Sequence, residues 1–280
     1  ILGVIVLLNM IGFIYTSTKK DETRKIAPYG KLVPTSHGKM HLHEEGPSDA
    51  QTIVILAGLG NALPSADFGP LIRDLSMEYH VVCLDYLGIG FSEDTTAPRN
   101  CESYVTEIRE ALLAGGIKPP YVLLPHSISG IYCEYYASKY PEEVSHLIEI
   151  DCTSTVFKKD GQLPAPIYYM SRFFQTVGFT RLTYALSKPL QQEAYGYTKK
   201  EQQDYHTFSC HNITPALREQ NNTMTSCIKE VNALTYPDSV PTLKLQSAQA
   251  IKRMGQAYQD NHMKRLGANA KGIVIPDSVH

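Results

Sequence analysis

Two kinds of apolar pattern alternate along most of the chain. Thr52-Ile53-Val54-Ile55-Leu56, His80 to Leu84, Tyr121 to Leu124 and Val144 to Ile150 are short continuous runs rich in branched residues. With no polar alternation, they suit strands covered on both faces. Between them, apolar residues return every three or four positions. Pro70, Leu71, Ile72 and Leu75 follow Asp67, placed as an N-cap, and Val105, Ile108 and Leu112 share one helical face that Gly115-Gly116 ends. Ile131 to Tyr140 reads as a helix closed by Pro141. Strand, helix, strand in repetition predicts a parallel sheet. A hairpin, Lys31 to Pro34 and Lys39 to Glu44 around Ser36-His37-Gly38, precedes it.

The strand pattern lapses between residues 152 and 238, where Ile167, Met170 and Phe174 keep helical spacing, and it returns at Thr242 to Leu245 and Gly272 to Ile275. The chain thus divides into a core of residues 31–151 and 239–280, a helical insertion at 152–238, a linker at 16–30 and an apolar segment at 1–15. That first segment, broken only by Asn9 among residues other than glycine, gives way to Thr16-Ser17-Thr18-Lys19-Lys20. No small-residue cleavage site follows it. It reads as a single-pass membrane anchor, shortened from the usual span of about 20 residues.

Composition narrows the function. Apolar residues make up 43% and charged residues 19%, ordinary values for a folded domain. Lys plus Arg number 26 against 28 Asp plus Glu, so no basic field favours nucleic acid as a partner. The six cysteines show no C-x-x-C spacing, point to neither a zinc site nor a disulfide framework and read as buried free thiols, with Cys210 and Cys227 the one pair to check for a bridge. No cofactor is implied.

Three motifs follow one another at the ends of the apolar runs: Ala57-Gly58-Leu59-Gly60, Asp85-Tyr86-Leu87-Gly88-Ile89-Gly90-Phe91-Ser92, and His126-Ser127-Ile128-Ser129-Gly130. In this order they resemble the α/β-hydrolase superfamily, over nearly everything from Lys31 to His280 except the insertion. The third is similar to the nucleophile elbow, where a strand turns directly into a helix and lifts a serine hydroxyl above the sheet. Pro125 and Ser129 stand where the elbow usually has glycine. The resemblance implies an α/β fold with a mostly parallel sheet, helices on both faces and a helical cap.

It also implies roles. Ser127 is the nucleophile, and His280, after the loop Pro276-Asp277-Ser278-Val279, is its general base. The commonest place for the triad acid, after the next-to-last strand, reads Gln246-Ser247-Ala248-Gln249-Ala250 and holds no carboxylate. The superfamily's other position is the end of the strand after the elbow helix, which here is Asp151, with Asp260 as runner-up. The backbone amides of Leu59 and Ile128 would form the oxyanion hole, while Asp85 and Gly88 shape a turn.

A serine at the elbow disfavours the epoxide hydrolase and haloalkane dehalogenase chemistries of the superfamily, which use Asp there. The expectation is a serine esterase acting on a small, partly apolar acyl substrate, anchored in a membrane, with the extracytoplasmic side favoured by the resemblance. A peptidase of the proline-iminopeptidase kind and a non-catalytic binding module are the alternatives.

Overall fold

The computed structural model describes residues 2–156 and 164–278. Eight strands form one sheet: β1 (Lys31–Thr35), β2 (Gly38–Glu45), β3 (Thr52–Leu56), β4 (His80–Leu84), β5 (Tyr121–Pro125), β6 (Val144–Ile150), β7 (Thr242–Ser247) and β8 (Ala270–Ile275). Their order is β1-β2-β4-β3-β5-β6-β7-β8. The first two strands run antiparallel, and every pair from β4 to β8 is parallel. The continuous apolar runs are the central strands, β3, β4 and β5, buried along their whole lengths as their lack of polar alternation requires.

Helix α1 (Leu2–Thr18) precedes the sheet, and α2 (Pro64–Asp67) and α3 (Gly69–Leu75) connect β3 to β4. The larger of two main core clusters packs α4 (Cys101–Gly115) and α5 (Ser129–Lys139) on one face of the sheet, and the smaller puts Ile72 of α3 on the other. Asn100 caps α4 through its side chain and the Ser103 amide, and Gly116, at φ 81°, ends it. Between β6 and β7 lie α6 (Ala165–Thr176), α7 (Phe179–Leu186), α8 (Lys199–Ser209) and α9 (Pro215–Asn232); α10 (Ala248–Met254) and α11 (Gln256–Leu266) then lead into β8.

Two expectations change. Asp67 ends α2 instead of capping the next helix, which begins at Gly69-Pro70; its carboxylate accepts from Asn61 and Gln191. The six cysteines are free and buried, as expected, Cys210 and Cys227 among them, and the thiol beside Cys227 is that of Cys101.

The membrane anchor is also overturned, and with it the membrane localisation. Residues 2–15 fall in α1, but this helix has 17 residues and ends in Thr16-Ser17-Thr18. No helix among the described residues is long and apolar enough to cross a membrane, since a bilayer core of about 30 Å takes about 20 apolar residues. Instead α1 rests on the turn between α6 and α7. Its Gly12 approaches so closely that a β-carbon there would lie 2.0 Å from the Val177 carbonyl oxygen.

Candidate active site

The carboxyl ends of the parallel strands converge on the elbow. β5 runs through Pro125 and His126 into α5, and Ser127 between them has φ 55°, in the left-handed region. A non-glycine residue there costs energy, so its surroundings must hold it. They do so from two sides: the Ser127 N–H donates to the Ile150 carbonyl at 3.2 Å, and the Ser127 carbonyl accepts from Thr153 at 3.0 Å and Gly130 at 3.2 Å. Pro125, which lacks an N–H, lies at the end of its strand and accepts from the Cys152 thiol through its carbonyl.

Gly58 and Gly130 are glycines for a spatial reason. A β-carbon on Gly58 would sit 2.8 Å from His126 Nδ1 and 2.9 Å from Ser127 Cβ, and one on Gly130 would lie 2.6 Å from Cys152 Cβ. The loop after β3 therefore passes directly against the serine. Leu59 follows Gly58 and Ile128 follows Ser127, and neither backbone N–H donates to any described residue. Ser129 has a use of its own: its hydroxyl donates to the Ala57 carbonyl and accepts from Tyr86 at 2.6 Å, tying α5 to this loop. Burial pushes the Tyr86 hydroxyl well above its ordinary value, so it keeps the proton it donates.

Asp151 also has positive φ, 46°. Its N–H donates to Leu245 at 2.8 Å, and its carboxylate accepts from the Ser247 N–H at 3.1 Å and the Ser247 hydroxyl at 2.7 Å. Asp260, the alternative acid, is exposed on α11, bonded to Gln256 at 2.9 Å, and is absent from the cavity wall. His280 lies outside the described residues. The chain leading to it is held at Ser278, whose hydroxyl accepts from the Ala248 N–H and whose carbonyl accepts from Gln249 N–H, both at 3.3 Å. The donors, Ala248 and Gln249, directly follow Ser247, which holds Asp151.

A cavity of about 270 Å³ opens here. Ser127, Asp151, Cys152 and Thr153 line one side, Met224 and Ile228 of α9 another, and Gln249, Ala250, Arg253, Met254, Tyr258 and Gln259 the rest. A larger depression, about 680 Å³, lies near the amino ends of β3 and β4 around Thr52 and His80. It is remote from the elbow, and ligands of open α/β sheets bind at the carboxyl ends of strands. The turn after β4 is structural, as Asp85 and Gly88 implied. The Asp85 carboxylate accepts from the Phe91 N–H at 3.0 Å and lies 2.9 Å from buried His41.

Behind the site is a network that sequence reasoning missed. Lys244 of β7, fully buried, donates to Glu149 at 2.9 Å, to the Cys152 carbonyl at 3.2 Å and to His262 Nδ1 at 2.7 Å. His262 then presents its Nε2–H to Glu134 on α5 at 2.7 Å, and Glu134 also takes Thr155 and Arg265. Burial pushes Glu134 up, but His262, Arg265 and Thr155 more than reverse this and hold it below the usual carboxylate range. Glu134, Glu149 and His262 have the donor set and closeness for a metal ion. The Lys244 ammonium already bonds Glu149 and His262, supplying the positive charge from within. The signal was a charge in each of two apolar strands, Glu149 and Lys244, which the parallel register sets side by side.

Comparison with known proteins agrees with this architecture. A family described as the alpha/beta hydrolase fold matches residues 51–196. The uncharacterized protein YbdG of Bacillus subtilis is 34% identical over 150 residues, 53% of this chain and 46% of that protein, so the match spans less than half the relative's length. Among solved structures, a DBJA mutant superposes with a TM-score of 0.66 at 14% identity, covering 89% of this chain and 91% of that one. The carboxylesterase CesB of Bacillus subtilis superposes with a TM-score of 0.61 at 16% identity, covering 95% and 91%. These last two likenesses concern the fold alone. With a family match over more than half its length and the sheet, elbow and strand order described above, this chain belongs to the alpha/beta hydrolase fold family.

Proposed function

We propose that the protein is a serine hydrolase that cleaves small carboxylic esters through an acyl-enzyme, with Ser127, His280 and Asp151 as its triad. The observation that carries this reading is Ser127 at φ 55° on a strand-to-helix junction, lining a cavity with Asp151. In the reaction His280 takes the Ser127 hydroxyl proton as Oγ attacks the ester carbonyl. The carbonyl oxygen becomes an oxyanion and accepts hydrogen bonds from the Leu59 and Ile128 amides. Collapse breaks the ester C–O bond, and the imidazolium returns its proton to the departing alcohol. Water, deprotonated by His280, then releases the acid and restores Ser127.

The cavity supports a small acyl group. At about 270 Å³ it lies near the lower end of the range for small-molecule pockets, and Met224, Ile228 and Met254 give it an apolar side. We expect 4-nitrophenyl acetate and butyrate to be hydrolysed faster than the laurate, and Ser127→Ala to abolish turnover of all three. Hydrolysis that persists undiminished in Ser127→Ala would show that another group performs the reaction.

A further inference from the structure

Among the described residues, the lining of the catalytic cavity holds one cation, Arg253, in the last turn of α10. Every other arginine of the chain is engaged, by a carboxylate, a carbonyl or a tyrosine ring. Arg253 is exposed and, among the described residues, has no hydrogen bond, ion pair or ring contact. Helix α10 gains little from it that Lys252, in the same last turn, does not also supply. The carboxylate in the lining, Asp151, already accepts two hydrogen bonds from Ser247. An unspent guanidinium thus stands at the wall of a cavity whose described lining is, apart from Asp151, apolar and neutral polar.

We infer that the substrate is an ester carrying a carboxylate remote from the scissile bond, and that Arg253 is the residue that selects it; this rests on the serine hydrolase reading above. One guanidinium, with no second cation among the described lining residues, matches the single charge and the two coplanar oxygens of a carboxylate. The apolar side formed by Ala250, Met254, Met224 and Ile228 holds the hydrocarbon that separates the carboxylate from the carbonyl. Arg253 touches no reacting atom, so its effect falls on binding, and its exposure makes that effect sensitive to salt.

Two esters test this with the full chain: the mono-4-nitrophenyl ester of adipic acid, and the same compound with its free carboxylate methylated. The expected result is a kcat/KM about tenfold higher for the carboxylate ester, the order of effect of a charge-assisted hydrogen bond weakened by exposure. Arg253→Gln erases that preference through KM, while higher salt narrows the preference in the wild type. Equal kcat/KM for the two esters in the wild type, or a preference that survives Arg253→Gln, overturns the inference. If neither ester is hydrolysed, a fluorophosphonate separates the two levels. Labelling of Ser127 then overturns only the substrate class, whereas no labelling overturns the hydrolase reading together with it.

Discussion

Asp151→Asn is expected to leave the protein folded and to lower ester turnover about 10⁴-fold, the cost of losing the orienting carboxylate in a serine triad. The fold should survive because the left-handed backbone at this position, φ 46°, is one that asparagine adopts readily. The amide oxygen can also still accept from the Ser247 N–H, as the carboxylate does at 3.1 Å. What is lost is the charge that stabilises protonated His280 and selects its tautomer. Asp260→Asn is the control: that residue is exposed and bonded to Gln256, and its variant should turn over at the wild-type rate. Steady-state kinetics on 4-nitrophenyl butyrate decide the matter. A large loss in Asp260→Asn with none in Asp151→Asn would move the acid to α11, and wild-type rates in both would reduce the machinery to a Ser127–His280 dyad.

The second large effect concerns stability. Lys244→Met is expected to cost about 3–5 kcal/mol, as breaking one side of a buried ion pair does. Glu149 is fully buried, its Oε1 already lacks a partner, and its Oε2 would lose the ammonium at 2.9 Å. Burial pulls the Lys244 pKa down, yet Glu149 and its neighbours more than offset this and hold it above the ordinary lysine value. The sign follows: for a base with a raised folded pKa, the contribution is complete below the unfolded pKa and fades only as pH rises through the folded one. At neutral pH it is fully present. Urea unfolding at pH 7 should therefore show a markedly lower midpoint for Lys244→Met. The double variant Lys244→Met, Glu149→Leu should recover most of the loss, because it leaves no uncompensated carboxylate. A single variant as stable as the wild type would mean the network is energetically idle.

The central sheet was legible because its strands obey a simple rule: a strand covered on both faces must be apolar throughout, and β3, β4 and β5 are. The elbow was legible because strained backbone and close packing demand particular residues in sequence, and Gly58, Ser127 and Gly130 meet that demand locally. Asp67 was misplaced because capping depends on where the chain bends, and the Gly69-Pro70 step starts a new helix two residues later. The apolar segment misled in another way. Its composition suggested a bilayer, but composition does not fix helix length: the helix has 17 residues and closes on three polar ones, too few apolar residues for a span, and Gly12 packs on Val177. The Lys244 network was hidden because its members lie up to 131 residues apart and meet only through strand register and helix packing. Sequence spacing carries no trace of that meeting.

The claim that Ser127 is an activated nucleophile is tested most directly by the mass of the intact protein after treatment with a fluorophosphonate, followed by peptide mapping. A serine forms the adduct only where a base takes its proton and donors receive the oxyanion. One adduct per chain is expected, on the peptide containing Ser127, and none in Ser127→Ala under the same conditions. An unmodified wild-type protein, or an adduct on another residue that persists in Ser127→Ala, would contradict it.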